Sequence, residues 1–204
     1  MTAFEVASGV RLEILVVDGN STDGTVDRIQ ARCSADSRIR LLHNPQRFAP
    51  HGLNIGIAKA RGDFVARIDA HSVYPKDYLA TCLETSRRTG ADNVGGLCET
   101  LPRGEGIGAR IARALTTHRF GIGDSGFRTA RPEGPADTVP YGFFRRDVFE
   151  RVGTFDERLI RAQDYELNRR IAHHNGRVWL NPDIHLAYYQ QPTLGAFLHK
   201  QIAL

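Results

Sequence analysis

Glu13-Ile14-Leu15-Val16-Val17-Asp18 is a short apolar run that stops on an acid, and Gly19-Asn20-Ser21-Thr22-Asp23-Gly24 follows it. A run of that length bounded by turn residues reads as a buried strand. Beyond the turn, Val26, Ile29 and Cys33 recur at helical spacing, with Thr22 or Asp23 as the cap. The alternation then repeats twice. Ile39-Arg40-Leu41-Leu42 predicts a second strand, stopped by Asn44-Pro45, and Leu53, Ile57 and Ala60 predict a second helix, ended by Gly62. Phe64-Val65-Ala66-Arg67-Ile68-Asp69 predicts a third strand. Pro75 suits the first helical position, and Leu79, Cys82 and Leu83 carry a third helix as far as Gly90. Three strand-then-helix units in a row predict an α/β domain, a mostly parallel sheet flanked by helices.

The second half is less regular. Val94-Gly95-Gly96-Leu97-Cys98 predicts a strand with a close backbone approach, and Ile107, Ile111, Ala114 and Leu115 predict a helix. A loop rich in Gly and Pro is expected over 121–141, and loops of that size inside a domain are usually functional. Val148, Phe149 and Val152 predict a short helix closed by Gly153. Leu167 and Ile171 anchor another, closed by Gly176. Val178-Trp179-Leu180 and Leu186-Ala187-Tyr188-Tyr189 predict two late strands.

Composition narrows the function classes. The chain has 204 residues, enough for one domain with its own core, and its 41% apolar and 25% charged content argues against disorder. The net charge of +4 is spread out, and its densest clusters, Arg87-Arg88, Arg145-Arg146 and Arg169-Arg170, read as solvated helix faces. No stripe of bases interleaves with aromatics, so no nucleic-acid partner is expected. Cys33, Cys82 and Cys98 lie far apart with no CxxC pair, which excludes zinc-ribbon and thioredoxin-like readings and fits a reducing cytoplasm. No apolar run reaches the length of a membrane span, and the first thirteen residues do not form a secretory signal.

Asp69-Ala70-His71 follows a predicted strand. Residues two apart in an extended chain point the same way, so Asp69 and His71 would both face the region beyond the strand's carboxyl end, where open α/β sheets bind ligands. A carboxylate and an imidazole make a divalent-metal half-site that leaves room for diphosphate oxygens and water, and the nitrogen ligand favours Mn²⁺ over Mg²⁺. A strand-end cap beside a surface histidine reads the same residues equally well. Asp164 opens the helix around Leu167. There the helix dipole favours an ionised carboxylate able to take a proton from a hydroxyl, although a capping Asp reads it too. Glu166 faces elsewhere and is expected to pair with Arg169 or Arg170. Asp18 and its turn can meet a nucleotide or simply make a good turn. His173 and His174 read as surface residues, while His185 precedes a strand within possible reach of a metal.

Taken together, these pieces resemble the family-two glycosyltransferases of GT-A fold. Val16-Val17-Asp18-Gly19-Asn20-Ser21-Thr22-Asp23-Gly24-Thr25 is similar to that family's nucleotide-binding turn, with Gly19 where a second Asp is commoner. Asn54-Ile55-Gly56-Ile57-Ala58-Lys59-Ala60-Arg61-Gly62-Asp63 leads into Arg67-Ile68-Asp69-Ala70-His71, where His71 replaces the second acid of the usual Asp-x-Asp metal motif. The Asp-Ala-His form, with Tyr74-Pro75 after it, resembles a branch containing succinoglycan-type exopolysaccharide transferases. Asp137-Thr138-Val139-Pro140-Tyr141-Gly142, Phe149-Glu150-Arg151-Val152-Gly153-Thr154-Phe155-Asp156-Glu157 and Gln163-Asp164-Tyr165-Glu166-Leu167-Asn168-Arg169-Arg170 fit that branch too.

The resemblance covers roughly residues 12 to 202. It implies a single glycosyltransferase domain over 1–204, with a nucleotide- and metal-binding half over about 12–100 and an acceptor half over about 101–192. It implies that Asp18, Asn20, Asn54 and Asp69 bind the nucleotide, that Asp69 and His71 hold Mn²⁺ or Mg²⁺, and that Asp164 is the catalytic base of an inverting transfer. Gly142, Phe143 and Glu166 are the residues expected at the acceptor. The partners implied are a nucleotide-diphosphate sugar donor and a glycan or lipid-linked acceptor, in a cytoplasmic protein compatible with peripheral attachment to the inner face of the membrane.

Two departures stand out. The family's usual first strand is not recognisable before Glu13, and the chain stops at Gln201-Ile202-Ala203-Leu204, so it reads as a family member shortened at both ends. Two rival readings follow: a non-catalytic remnant that binds sugar nucleotide or a partner, and a nucleotidyltransferase or phosphohydrolase built on a strand-end Asp.

Overall fold

The aliphatic run Ile14–Asp18 forms the first strand, β1, which pairs in parallel with β2 (Ile39–His43), Ile14 opposite Ile39 and Asp18 opposite His43. The computed structural model describes residues 4–70, 72–101 and 132–189. His71, the helix expected around 107–115 and the greater part of the loop expected over 121–141 lie outside them. Helix α1 (Thr25–Ala35) joins the two strands. Neither Thr22 nor Asp23 caps it: Gly24, in the left-handed region at φ 80°, is the N-cap with no side-chain capping bond, and the Asp23 carboxylate, one residue earlier, accepts from the Thr25 N–H (3.2 Å) and hydroxyl (2.6 Å). Helix α2 (Ala49–Lys59) carries Pro50 in its first turn, where a missing N–H costs nothing, and packs on β1.

The remaining strands form one six-stranded sheet. They are β3 (Phe64–Ala66), β4 (Ser72–Val73), β5 (Asn93–Leu101), β6 (Gly134–Pro135), β7 (Phe143–Arg145) and β8 (Val178–Tyr189). The order is β3-β7-β5-β8-β4, with β6 also on β8. β5 and β8 are parallel; β3–β7, β5–β7, β4–β8 and β6–β8 are antiparallel. The α/β class stands, and its sheet is mixed. β7 enters between β3 and β5 from Tyr141 and Gly142, both at positive φ (62° and 97°). Three residues inside an irregular stretch carry no readable period, so this insertion is invisible in the sequence.

Helices α3 (Tyr78–Thr89), α4 (Asp147–Val152) and α5 (Gln163–His173) cover the sheet. β7 shows how the two faces divide. Phe143 points into a core with Tyr78, Leu79, Cys82, Val94 and Leu186, against α3. Its neighbour Phe144 points into a second core with Val148, Phe149, Leu167, Ile171 and Leu180, against α4 and α5. The segment before β1 belongs to the first core: Phe4, Val6, Val10 and Leu12 pack on it, and the Glu5 N–H donates to the Lys76 carbonyl (2.8 Å).

Several elements differ from expectation for local reasons. β1 is half-buried rather than buried, since among the described residues only β2 pairs with it. The third strand stops at Ala66, because the Asp69 N–H turns to the Tyr74 hydroxyl (2.9 Å) instead of a neighbouring strand. α3 starts at Tyr78, whose N–H closes a turn onto the Pro75 carbonyl (3.2 Å). The two late strands are a single β8. Its register against β5 jumps from Gly95–Leu180 to Leu97–His185, and Gly96 has no Cβ to strike Ile184 at that bulge. None of the three cysteines forms a disulfide. Among the described residues no helix is long and apolar enough to cross a membrane.

Candidate functional site

Two of the strands named by the sequence end in acids, and each acid is shaped by its own turn. Asp18 closes β1 and is 6% exposed. The Ser21 N–H donates to its Oδ2 (3.1 Å), across a loop in which Asn20 takes positive φ (65°). Hydrogen bonds from Ser21, opposed by burial, hold this carboxyl below the usual range. The Asp18 carbonyl accepts from the Asn44 N–H (2.8 Å), and Asn44 Nδ2 donates to the Phe48 carbonyl (2.9 Å). Asn44, read from the sequence only as a strand stop, therefore stitches the end of β1 to the start of α2.

Asp69 follows β3 and is held by Arg67 in a two-pronged pair, Nε to Oδ1 at 2.8 Å and Nη2 to Oδ2 at 3.0 Å. The third prong, Arg67 Nη1, donates to Asp164 Oδ1, 97 residues away in sequence. Asp69 and Asp164 are thus brought together by one guanidinium. The Arg67 side chain is 11% exposed, with Asp69 at 20% and Asp164 at 31%. Its N–H donates to the Gly142 carbonyl (3.0 Å), and its Cζ lies 5.8 Å from the centre of the Tyr141 ring. Tyr141 is fixed in turn by Ser72, hydroxyl to hydroxyl at 2.6 Å, and by edge contact with Tyr74 at 5.7 Å. Arg67 has no role in the reading of the sequence alone. The signal was its position two residues before Asp69, on the same side of an extended chain.

Asp164 is the second residue of α5 and does not cap it. Ala162, at φ 59°, is the N-cap, with no side-chain capping bond. Burial pushes the Asp164 carboxyl above the usual range, and Asp69 adds to the push, while Arg67 opposes it. The competing cap reading loses here, because the carboxylate is turned to Arg67.

The other expected site residues have mixed placements. Asn54 Nδ2 donates to the Phe155 carbonyl (2.9 Å) and Glu157 Oε1 (3.0 Å), and its Oδ1 accepts from the Phe155 N–H (3.0 Å). Its amide joins α2 to the segment after α4. Phe143 is buried and stacks on Phe64 (5.1 Å between centroids). Gly142 reaches the cluster through its carbonyl on Arg67. Glu166 pairs with Arg170 (2.6 Å), as its spacing predicts. His173, His174 and His185 are exposed, and His71 lies outside the described residues. Among the described residues no hydrogen bond or ion pair joins Asp18 to the Arg67 cluster, and no three of His, Cys, Asp and Glu converge as a metal centre. Asp69 nevertheless offers hard anionic oxygens of the kind that suits Mg²⁺ or Mn²⁺, paired with the Arg67 guanidinium on a side chain that is 20% exposed.

Comparison with known proteins bears on the family and the fold. The profile described as Glycosyl transferase family 2 matches residues 5–153. Over 183 residues the chain is 30% identical to the succinoglycan biosynthesis protein ExoA of Rhizobium meliloti, covering 89% of this chain and 55% of that protein. It is 29% identical over 199 residues to a Methanococcus voltae dolichyl N-acetyl-alpha-D-glucosaminyl phosphate 3-beta-D-2,3-diacetamido-2,3-dideoxy-beta-D-glucuronosyltransferase, covering 94% of this chain and 61% of that one. The chain therefore spans little more than half the length of these curated relatives. Among solved structures, residues 1–349 of S. aureus TarS in complex with UDP superpose with a TM-score of 0.64 at 18% identity, over 88% of this chain and 52% of that TarS chain. The mannosyltransferase PcManGT of Pyrobaculum calidifontis, in complex with GDP-Man and Mn²⁺, gives a TM-score of 0.62 at 23% identity, over 86% of this chain and 47% of the other. These two likenesses establish the GT-A-like fold. A profile match over nearly three quarters of the sequence goes further, and the chain belongs to glycosyl transferase family 2.

Proposed function

We propose that this chain carries the core of an inverting, divalent-cation-dependent glycosyltransferase that moves a sugar from a nucleotide diphosphate to an acceptor hydroxyl. The observation that carries the reading is the junction of Asp69 and Asp164 on Arg67. It sets a donor-side carboxylate beside a carboxylate whose proton affinity is raised by burial. A cation held by Asp69, with His71 as the expected second ligand, would supply charge neutralisation for the departing diphosphate.

The residues' own work is as follows. Asp18 and the turn through Asn20 receive the nucleotide. Asp164 takes the proton of the acceptor hydroxyl. That oxygen bonds to the anomeric carbon from the face opposite the diphosphate, the carbon–diphosphate oxygen bond breaks, and the electron pair leaves with the diphosphate. One base and one displacement invert the anomeric centre. Gly142 serves through its backbone, holding Arg67, and Glu166 serves α5 by pairing with Arg170. UDP in TarS and GDP-Man with Mn²⁺ in PcManGT support a nucleotide-diphosphate sugar as donor and Mn²⁺ or Mg²⁺ as the cation. The name of ExoA supports a role in exopolysaccharide or cell-surface glycan synthesis; the acceptor we assign is a glycan or a lipid-linked sugar at the inner face of the plasma membrane.

A donor screen tests the reading. Release of nucleoside diphosphate that depends on both acceptor and Mn²⁺, with inverted anomeric configuration by NMR, is the expected result. Release of pyrophosphate or phosphate instead would assign the site to nucleotidyl or phosphoryl chemistry. Asp164→Asn should lower kcat by about a hundredfold or more while nucleotide affinity stays near normal, because the amide keeps the shape and loses the basicity. Transfer at the wild-type rate in that variant removes Asp164 as base.

A further inference from the structure

Arg67 is built into its place from several sides. Its backbone is pinned by Gly142, its guanidinium lies against the Tyr141 ring, and its three nitrogens are divided between two acids from distant elements. An exposed ion pair would be worth little, but this fork is almost enclosed. It occupies both oxygens of Asp69, the same oxygens a divalent cation would need. A guanidinium and a dication on one carboxylate repel each other, so the two compete.

We propose that Arg67 is a positioning residue that clamps Asp164 to Asp69, and that a divalent cation taking Asp69 releases that arm and leaves Arg67 to Asp164 alone. This rests on the reading of Asp69 as cation ligand and Asp164 as base. The clamp keeps the two acids apart in charge and together in space while the donor is absent. It makes the orientation of the base depend on what fills the donor side.

Mn²⁺ titration followed by the EPR signal of the free ion, without nucleotide, tests the competition directly. Arg67→Met should bind Mn²⁺ at least about tenfold more tightly than the wild type, since the competing fork is gone. Arg67→Lys should shift the same way by less, because one ammonium cannot span both carboxylates. In turnover, both variants should lose kcat, Arg67→Met by about a hundredfold, with the donor KM held within about threefold, as expected when the base is misplaced and the donor site is intact. If Arg67→Met does not fold, Arg67→Lys carries the test, as it keeps the charge and most of the volume. Equal or weaker Mn²⁺ binding in the folded Arg67 variants overturns the clamp. Asp69→Asn separates the two proposals. Lost Mn²⁺ binding there with no change in the Arg67 variants overturns the clamp alone, whereas wild-type Mn²⁺ binding in Asp69→Asn overturns the assignment of Asp69 as cation ligand.

Discussion

The protonation of Asp164 is set by its burial and by two charged neighbours. Burial raises its pKa, the Arg67 guanidinium lowers it, and Asp69 raises it again, with the net direction upward. A base must be ionised to accept a proton, so activity is lost as pH falls through the folded-state value. The acidic limb of kcat/KM against pH, which reports the free enzyme, should therefore inflect above the ordinary carboxylate range. A limb at or below that range would mean that another group takes the proton. Gly142 is the other residue that decides much. Its φ is 97°, and a Cβ there would collide with the Phe144 ring and stand 2.8 Å from Asn93 Oδ1. Gly142→Ala should cost more than about 2 kcal/mol in urea denaturation and displace the carbonyl that holds Arg67.

At the scale of elements, α5 matters most, since it delivers Asp164. Asn168, one turn on from Asp164, accepts from buried Asn93 Nδ2 (2.7 Å) and donates to Thr138 Oγ1 (2.9 Å), tying α5 to the sheet. Arg170 ties the same helix to the end of α4, donating to the carbonyls of Val152 (2.6 Å) and Thr154 (2.8 Å). Asn168→Ala leaves the Asn93 amide buried without this partner. It should cost about 1–3 kcal/mol by chemical denaturation and lower kcat more than it changes the donor KM. The Glu166–Arg170 pair was legible in the sequence because it is local, at i,i+4. The Asn93–Asn168 bond was not, because 75 residues separate its ends and neither has a distinctive neighbourhood. Gly95-Gly96 lies between these cases. Its close approach was readable from two glycines in an apolar run, but the partner, Ile184 at the β8 bulge, was not.

At the scale of the whole molecule, the first half of the chain was legible almost element by element. β1, α1, β2 and α2 fall where the apolar runs and turn residues put them. Each is specified by residues adjacent in sequence: an aliphatic run, a helical period, a Pro in the first turn, an Asp before it. The candidate acids were legible for the same reason, since Asp18 ends a strand, Asp69 lies three residues past one and Asp164 starts a helix. Three things required the tertiary structure. The mixed sheet depends on β7 entering antiparallel between β3 and β5, which is decided by where Phe143 and Phe144 find cores on opposite faces. The single β8 depends on the bulge that β5 tolerates at Gly96. The meeting of Asp69 and Asp164 depends on a buried arginine whose partners lie two and 97 residues away. Local backbone preference and periodicity act over a few residues, so the sequence alone determined the elements and their chemistry. The long-range pairings minimise buried unpaired charge and exposed apolar surface in three dimensions at once, and only the folded chain decided those.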